Sequence, residues 1–370
     1  MTLQQAHIQF DGFERSAGTV GIRNRVLVLP SVICSHIVAE NIGEQIQNAV
    51  VAPHDHGCAQ IGSDKEQTQR TYIGIGTNPN IAGVLVVGLG CEGLQSGDVA
   101  ELLDQAGCAV KEISIQDVGG TDPCIEQGTQ IAKELVSDAQ TTGRVHADLS
   151  DLTVGIVASD CDSSSLDIAD PIIGKAAKSV TEAGGRVLVA GSERVLPHRG
   201  ALQSRLDATA QNQLEELYGR HEGNVSRTAR VEEKARQVDF EALSRLWDDQ
   251  PIDEIIPYGG TPNFKTGVGL LDAPSRFSEA ATGLAAAGAQ LVLHSTSEGI
   301  PAGHPLVPIL KITGDEDTYA ALPNDIDINA NAASADDVLQ AIGETANGEQ
   351  TCTEKHGLTT FAITRVGPSM

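Results

Sequence analysis

Short apolar runs rich in valine and isoleucine alternate along the chain with longer stretches in which apolar residues recur every three or four positions. The runs have the length and composition of strands, and the stretches have the spacing of amphipathic helices. This alternation is typical of βαβ units and a mostly parallel sheet. In the first half the predicted strands are Arg25–Ile33, Ala49–Pro53, Ala82–Gly88 and Val110–Ile115, and the predicted helices are Ser35–Gln47, Asp64–Ile75, Gly97–Gln105 and Asp122–Val136.

The second half begins after a polar segment, Ser137–Asp151, which predicts a linker. Two strands follow, LTVGIVASD and RVLVAGS, around a helix closed by Gly184 and Gly185. A charged stretch then predicts solvent-facing helices, and beyond it the pattern returns to short strands, glycine-rich turns and a last helix near Ala335–Ile342. We predict an α/β protein of two Rossmann-like domains with mostly parallel sheets, residues 1–148 and 149–370, the second irregular and carrying a charged helical insertion at about 202–249.

Composition restricts the setting in which the protein works. No apolar run of the 370 residues approaches the roughly 20 needed to cross a bilayer. The N-terminus, MTLQQAHIQFDG, lacks the basic start and apolar segment of a secretory signal, so we expect a cytoplasmic protein. In that reducing compartment the seven cysteines are expected to bind metal, act in catalysis or lie buried, rather than form disulfides.

The excess of acidic over basic residues restricts the partners and the environment that the protein can have. Asp and Glu number 50 against 25 Lys and Arg, a net charge of −25. A nucleic-acid backbone would be repelled by this charge, so we expect no nucleic-acid partner. Acid scattered along the whole chain favours adaptation to high salt, where a Debye length of about 3 Å at 1 M screens the self-repulsion. An ordinary acidic enzyme is the alternative.

Three cysteines stand at the ends of successive apolar runs. Cys34 follows VLVLPSVI, Cys58 follows VVAPHDHG, and Cys91 follows VLVVGLG. Parallel strands end at the edge of the sheet where ligands bind, so we expect these thiols to meet there. Thiolates with imidazoles suit iron or zinc, and three cysteines also suit an iron–sulfur cluster with one open iron. The alternative is a wholly organic site with the thiols buried as small apolar groups.

Polar residues next to these cysteines could complete the site. If their segment is extended, His54 and His56 face the same ion as Cys58, whereas a turn would leave one as ligand and the other as base. Glu92 could orient a ligand, move a proton, or merely stabilise a helix start. The remaining thiols have weaker contexts: Cys108, Cys124, Cys161 and Cys352.

Several enzyme classes lack their motif. The glycine-rich stretches GIGTNPN and VVGLGCEG do not give the dinucleotide fingerprint, which disfavours a nicotinamide cofactor. No phosphate loop of the form GxxxxGK[ST] and no GxSxG elbow is present, so kinase, ATPase and serine hydrolase interpretations are excluded.

A set of motifs resembles one known family. GIRNRVLVLPSVICS, PHDHGC, NPNIAGVLVVGLGCEG and SIQDVGGT, followed by GVGLLDAPSRFSEAATG, HSTSEGIPAGHPLVPILKITG and DIDINA, resemble the large catalytic portion of the altronate and galactarate dehydratases. That family also includes the large subunit of sulfolactate sulfo-lyase. The resemblance implies a lyase that removes water across C2 and C3 of a hexonate or hexarate, giving a 2-keto-3-deoxy acid, with ferrous iron or another divalent metal.

The resemblance also assigns roles to residues. We expect Cys34, Cys58 and Cys91, with His54 possible, to hold iron or a cluster, and His56 or Glu92 to move protons. Arg23 and Lys311 would pair with the substrate carboxylate. The other motif positions expected at the site are Asn24, Asp117, Asp272 and Thr296.

The chain also departs from the family pattern. It enters GTVGIRN after only about 17 residues, where fused members carry a small domain, so we expect a separate small subunit and an oligomer. The stretch VASDCDSSSLD displaces Cys161 from its family position. Two alternatives stay open: a sulfolactate sulfo-lyase, and a non-catalytic subunit that needs the small partner.

Overall fold

The computed structural model describes residues 8–222 and 229–365, and its strands form three sheets. The strands of this described part are β1 (Gln9–Glu14), β2 (Val20–Gly21), β3 (Arg25–Pro30), β4 (Ala49–Val51), β5 (Ile81–Gly88), β6 (Val110–Ser114), β7 (Arg144–Asp148), β8 (Thr153–Ala158), β9 (Arg186–Val189), β10 (Ile252–Ile256), β11 (Gly267–Leu271), β12 (Leu291–Ser295), β13 (Ile309–Thr313) and β14 (Ile328–Asn329).

Helices lie between most of these strands. The α-helices in the same residue ranges are α1 (His36–Gly43), α2 (Gly62–Gly76), α3 (Ser96–Gln105), α4 (Thr121–Ala139), α5 (Asp170–Glu182), α6 (Ser192–Val195), α7 (Arg199–Gln203), α8 (Ala208–His221), α9 (Ala229–Ala235), α10 (Phe240–Ser244), α11 (Phe277–Ala286), α12 (Glu316–Ala321), α13 (Ala335–Ala346) and α14 (Cys352–His356). None of the helices in the described part is both long and apolar enough to cross a membrane.

Both large sheets are parallel throughout, which confirms the predicted α/β class. The first has the order β4-β3-β5-β6 and uses the four strands predicted in the first half. The second has seven strands in the order β10-β11-β9-β8-β12-β13-β14. In each sheet the first strand, β3 or β8, lies in the middle. The next strand or strands are added on one side of it, and the chain then crosses to add strands on the other side. The gap between β3 and β5, and the gap between β8 and β12, are therefore the switch points where ligands bind in such folds.

The predicted linker is in fact ordered structure. Helix α4 continues to Ala139, and β7 then pairs antiparallel with β1, which also pairs with β2. Only Val145 and Ala147 turn inward along β7, and the other three residues of the strand are exposed. Two inward residues give too weak an alternation to show as a strand in the sequence.

The two parallel sheets share one buried core. Residues of β3 and β5, helices α2 and α11, and strands β8 and β12 belong to a single apolar cluster. Helices α2 and α11 approach so closely that a Cβ on Gly74 would lie 2.3 Å from the carbonyl oxygen of Ala286. The amide of Asn78 donates to Ala285 and Ala289 at 2.8 and 2.9 Å. The halves are thus packed as one body, with the carboxyl edge of each sheet left for loops.

Candidate functional site

The three cysteines of the predicted site lie on the three loops that follow β3, β4 and β5. These strands are neighbours in the first sheet, so the loops occupy the same carboxyl edge, and Cys34 and Cys91 flank its switch point. All three thiols are exposed and unbridged. The structure places the three loops at one edge, but within the described residues it does not group the three thiols as a site that could hold a metal, and none of the three is buried as a core residue.

Backbone contacts join the three loops to each other. The N–H of Ile33 donates to His56 at 2.9 Å, and the N–H of Gly93 donates to Gly57 at 3.1 Å. Gly57 adopts a φ of 92°, and a Cβ there would lie 2.1 Å from the carbonyl oxygen of Ser31. Only glycine permits this approach. The loop bearing Cys58 is therefore fixed between the other two.

Glu92 stabilises the loop after β5 with its carboxylate. Oε1 accepts from Ser31 Oγ at 2.9 Å and from the N–H of Leu89 at 3.2 Å, while Oε2 accepts from the N–H of Gly90 at 2.6 Å. Burial opposes ionisation, but these hydrogen bonds hold the pKa of Glu92 below its ordinary value. The side chain bridges the switch point as an ionised structural carboxylate.

His54 is buried with both ring nitrogens engaged. Nε2 donates to the carbonyl of Pro30 at 2.7 Å, and Nδ1 accepts from the N–H of His56 at 3.2 Å. Burial lowers the pKa of His54 to about 3. The ring packs beside Tyr72 and Phe361, with centroids 5.0 and 6.4 Å away. His54 is a neutral residue that holds the loop after β4.

His56 has the same kind of environment. Nε2 donates to the carbonyl of Ile363 at 3.0 Å, and Nδ1 accepts from the Gln60 amide at 3.0 Å. Burial, and then the nearby Arg365 guanidinium, lower the pKa of His56. The Gln67 amide donates to Thr364 at 2.7 Å, so the C-terminal segment 361–365 packs along this edge. A sequence pattern could not show this contact, since about 300 residues separate its partners.

A metal ion requires several donors around one point. Within residues 8–222 and 229–365, no three His, Cys, Asp or Glu side chains are placed together in a way that could hold one. The imidazoles of His54 and His56 already form other hydrogen bonds, so the exposed donors at this edge are the thiols and the carboxylates of Asp55 and Asp117. The present side-chain positions do not fit a metal, and we derive no step through one. The iron or cluster stays a prediction.

The predicted substrate residues Arg23 and Asn24 lie at the opposite, amino-terminal edge of the first sheet. Arg23 makes two hydrogen bonds to the Glu354 carboxylate, at 2.9 and 2.8 Å, and others to backbone carbonyls of the second half. The amide of Asn24 donates to Ala139 at 2.7 Å and accepts from Arg15 at 2.9 Å. Both side chains are occupied in joining parts of the protein, and the structure does not bring them to the cysteine loops.

Asp117 does lie at the carboxyl edge, in the loop after β6, where it is exposed. Its neighbour Gln116 packs against Gly90 in the cysteine-bearing loop after β5. Of the acidic residues predicted for this edge, Asp117 is the exposed one, whereas Glu92 is buried.

Asp272 belongs to the carboxyl edge of the second sheet, directly after β11. Its carboxylate accepts from Arg220 Nε and from His221 Nε2, both at 2.7 Å. The hydrogen bond to Asp272 raises the pKa of His221, and the same pair of cations keeps the pKa of Asp272 low despite burial. The charged helix α8, which carries no chemistry in the sequence interpretation, therefore reaches a predicted site residue.

Thr296 and Lys311 are both buried in the second sheet. Thr296 follows β12, and its Oγ1 accepts from the N–H of Gly299 at 3.2 Å. Lys311 lies within β13, its Nζ has no hydrogen-bond partner among the described residues, and burial lowers its pKa to about 8. Substrate cannot reach Lys311 directly in this structure, because the side chain has no exposed surface.

The switch point of the second sheet holds polar residues that sequence analysis missed. Ser159, the first residue after β8, forms a hydrogen bond of 2.6 Å between its Oγ and His294 Nε2. The next residue, Asp160, accepts from the N–H of Ser297 at 2.8 Å across the gap to the loop after β12. The sequence does contain a signal for this site: Ser159 and Asp160 directly follow the apolar run LTVGIVA, just as the three cysteines follow apolar runs in the first half.

Two family models match most of this fold. The model described as "D-galactarate dehydratase/Altronate hydrolase, second domain" matches residues 12–140. The model described as "D-galactarate/Altronate dehydratase, C-terminal" matches residues 244–369. Together the two ranges take in more than half of the chain, and they include the carboxyl-edge loops of the first sheet and those after β11 and β12.

Named relatives match over nearly the whole chain. An altronate dehydratase of Bacillus subtilis is 29% identical over 98% of this chain and 78% of its own length. The (2R)-sulfolactate sulfo-lyase subunit beta of Chromohalobacter salexigens is 28% identical over 96% of this chain and 97% of its own length. An altronate dehydratase of Escherichia coli is 26% identical over 99% of this chain and 80% of its own length. The likeness therefore extends through both sheets.

Proposed function

This chain belongs to the D-galactarate and altronate dehydratase family of lyases, and we propose that its reaction is the removal of water from a sugar acid, a hexonate or hexarate. The product would be a 2-keto-3-deoxy acid. The observation that carries the proposal is the likeness to altronate dehydratases over both halves, so that both carboxyl edges lie in matched sequence.

The reaction sets chemical demands on the site. Removing the proton next to a carboxylate places negative charge on that carboxylate, so the enzyme needs a base and a group that stabilises the charge. Arg23 is committed to Glu354 at the far edge, and His54 and His56 are buried and neutral. The exposed groups at the first edge include the three thiols and the carboxylates of Asp55 and Asp117. We propose the three thiols as the ligands of any divalent metal or cluster that binds here, although they would have to move closer together to hold one, because their present positions do not fit it.

A second candidate is the elimination of sulfite from sulfolactate. It begins with the same proton abstraction and differs in the leaving group. The match with the sulfo-lyase subunit beta spans 97% of that relative, against 78 and 80% of the two altronate dehydratases. Because that relative is named as a subunit, we also propose that a separate small subunit assembles with this chain.

An assay with and without that partner separates these possibilities. The purified chain is supplied anaerobically with ferrous iron and a panel of hexonates, hexarates and sulfolactate, and 2-keto acid and sulfite are measured as products. We expect 2-keto acid from at least one sugar acid. Sulfite from sulfolactate alone would favour the second candidate. Turnover only with an added small subunit would establish the two-component enzyme, and no product with either would overturn both proposals.

A further inference from the structure

Three polar residues form a row on the inner face of the seven-stranded sheet. Ser159, His294 and Lys311 lie on or directly after the adjacent strands β8, β12 and β13, and His294 and Lys311 are paired in register. Ser295, the next residue on β12, points to the other face, where it donates to Asp170 at 2.6 Å. Side chains alternate along a strand, so His294 and its register partner face the shared core, and the ring of His294 stacks on Phe277 with centroids 4.4 Å apart.

At the buried end of this row, two polar atoms lack hydrogen-bond partners. His294 Nδ1 and Lys311 Nζ are buried, and neither has a hydrogen-bond partner in the part of the chain that the structure describes. Such groups are rare in native proteins because each costs desolvation energy. Burial, and then the neighbouring Lys311, lower the pKa of His294 to about 3, so its imidazole is neutral.

The hydrogen-bond partners of the two ring nitrogens indicate which one carries the proton. Nδ1 has no acceptor in the described part of the chain, so a proton there would leave a buried N–H unpaired, and the nearby positive charge of Lys311 also disfavours it; the proton therefore belongs on Nε2. Nε2 then donates to Ser159 Oγ across the 2.6 Å hydrogen bond. Since Oγ accepts this bond, the hydroxyl proton of Ser159 is left to donate elsewhere.

The surroundings of Lys311 leave its positive charge in place. Besides His294, the groups that act on it electrostatically are Asp325, Asp327 and Cys352, the two aspartates raising its pKa against the effect of burial. The carboxylate of Asp327 accepts the backbone N–H of Lys311 and that of Cys352, both at 2.8 Å, and forms no hydrogen bond to Nζ.

Ser159 stands where a ligand would bind. It is half-buried, and it lies at the switch point between β8 and β12, next to the Asp160 contact that crosses the gap. Open α/β sheets bind ligands in the crevice at this point. The row therefore places a buried cation behind a neutral imidazole, and that imidazole is hydrogen-bonded to a hydroxyl at the crevice.

We propose that Ser159 donates a hydrogen bond to the carboxylate of the sugar acid and stabilises the charge that develops there as the adjacent proton is removed, with His294 and Lys311 as positioning residues behind it. This inference rests on the proposed function. The proton on Ser159 stays on Oγ, and no bond to the enzyme forms. Donors already oriented toward developing charge are a large source of catalysis because they need no reorganisation during the reaction.

Kinetics of matched variants test the role of Ser159. Removing one donor to a developing oxyanion costs about 10²–10³ in kcat, so we expect Ser159→Ala to lose about that much with little change in KM. Ser165→Ala is the control, because Ser165 Oγ is also buried near this edge but has no hydrogen-bond partner within residues 8–222 and 229–365. His294→Gln keeps an N–H donor and should retain more activity than His294→Phe. Full kcat in Ser159→Ala would overturn the proposal while leaving the dehydratase intact.

The pH profile tests Lys311 separately. Its pKa of about 8 predicts that kcat declines above pH 8 as the ammonium is lost, and that Lys311→Met lacks this decline at a lower constant kcat. A decline that persists in Lys311→Met would contradict the polarising role. If sulfolactate is the substrate, the same variants apply, because the same proton is removed.

Nitrogen NMR supplies a test without substrate. In protein carrying ¹⁵N-histidine, the resonances lost in His294→Phe identify the ring, and we expect a proton on Nε2, a bare Nδ1 and no protonation between pH 5 and 8. A proton on Nδ1 would overturn the proposal whether or not a sugar acid is turned over. The expected tautomer in a chain without lyase activity would instead locate the failure in the proposed function.

Discussion

At the scale of single residues, a substitution of Glu92 tests whether its carboxylate has a structural or a catalytic role. Gln in its place loses the charge that three donors share, and hydrogen bonds to charged groups contribute about 1.5–3 kcal/mol in net stability. We expect Glu92→Gln to lower the free energy of unfolding in urea by about that amount at pH 7. Glu101→Gln, at an exposed helix position, is the control and should stay within about 0.5 kcal/mol.

The pH dependence of this effect has a definite sign. Because the folded pKa of Glu92 is lowered, its contribution is present above the unfolded pKa of about 4.3 and is lost as pH falls through the folded value. The stability difference between wild type and Glu92→Gln should therefore shrink on acidification. A variant of unchanged stability with much reduced kcat would show instead that Glu92 is the catalytic base.

The seven thiols should differ in reactivity according to their burial. Cys34, Cys58 and Cys91 are exposed, whereas Cys124 is buried and burial raises its pKa to about 11. Reaction requires the thiolate, so we expect iodoacetamide to label the three edge cysteines of the native protein long before Cys124. Peptide mass spectrometry gives the order.

The same labelling tests the proposed metal. Ferrous or zinc ion should slow the alkylation of Cys34, Cys58 and Cys91 together and leave Cys108 unaffected. Cys91→Ser should bind less metal and remove the protection of the other two. Unchanged metal content, protection and turnover in Cys91→Ser would exclude these thiols as ligands.

At the scale of elements, the contact between α2 and α11 joins the halves. A methyl group on Gly74 has no room beside the Ala286 backbone, and overpacking typically costs about 1–3 kcal/mol. We expect Gly74→Ala to be destabilised by about that amount in urea unfolding. The matched control is Gly219→Ala, near the end of α8, where nothing lies within 4 Å and alanine should stabilise the helix by up to about 1 kcal/mol. Equal effects of the two substitutions would mean that the helices can separate without cost.

The pattern of the sequence predicts elements that are built from local signals. The strands β3 and β5 are continuous apolar runs, and their parallel pairing is why the cysteines that follow them lie at one edge of the sheet. Helix α1 is shorter than predicted, starting at His36 and ending at Gly43. His56 is hydrogen-bonded to Ile363, and Arg23 is hydrogen-bonded to Glu354. Contacts between residues so far apart in the sequence leave no periodic pattern from which they could be predicted.

At the scale of the whole molecule, the same argument explains which site residues could be found. Motif likeness identified Asp272 and Lys311, but their partners arise from tertiary packing: Arg220 and His221 arrive on α8, and His294 lies beside Lys311 only because β12 pairs with β13. A histidine inside an apolar run indicates a core position, and only the fold shows that it contacts a serine at the switch point.

The charge of the whole molecule predicts how it responds to salt. A net charge of −25 opposes the folded state by self-repulsion, which salt weakens as the Debye length falls from about 8 Å at 0.15 M to about 3 Å at 1 M. The pairing of Arg23 with the buried Glu354 is screened less, so salt should remove more repulsion than attraction. We expect Tm, followed by circular dichroism, to rise by about 5–10 °C between 0.1 and 2 M KCl. Sucrose at equal water activity controls for solvent exclusion and should give a smaller rise, since it does not screen charge. Full stability and activity in dilute buffer, with no gain from KCl beyond that of sucrose, would identify an ordinary acidic enzyme.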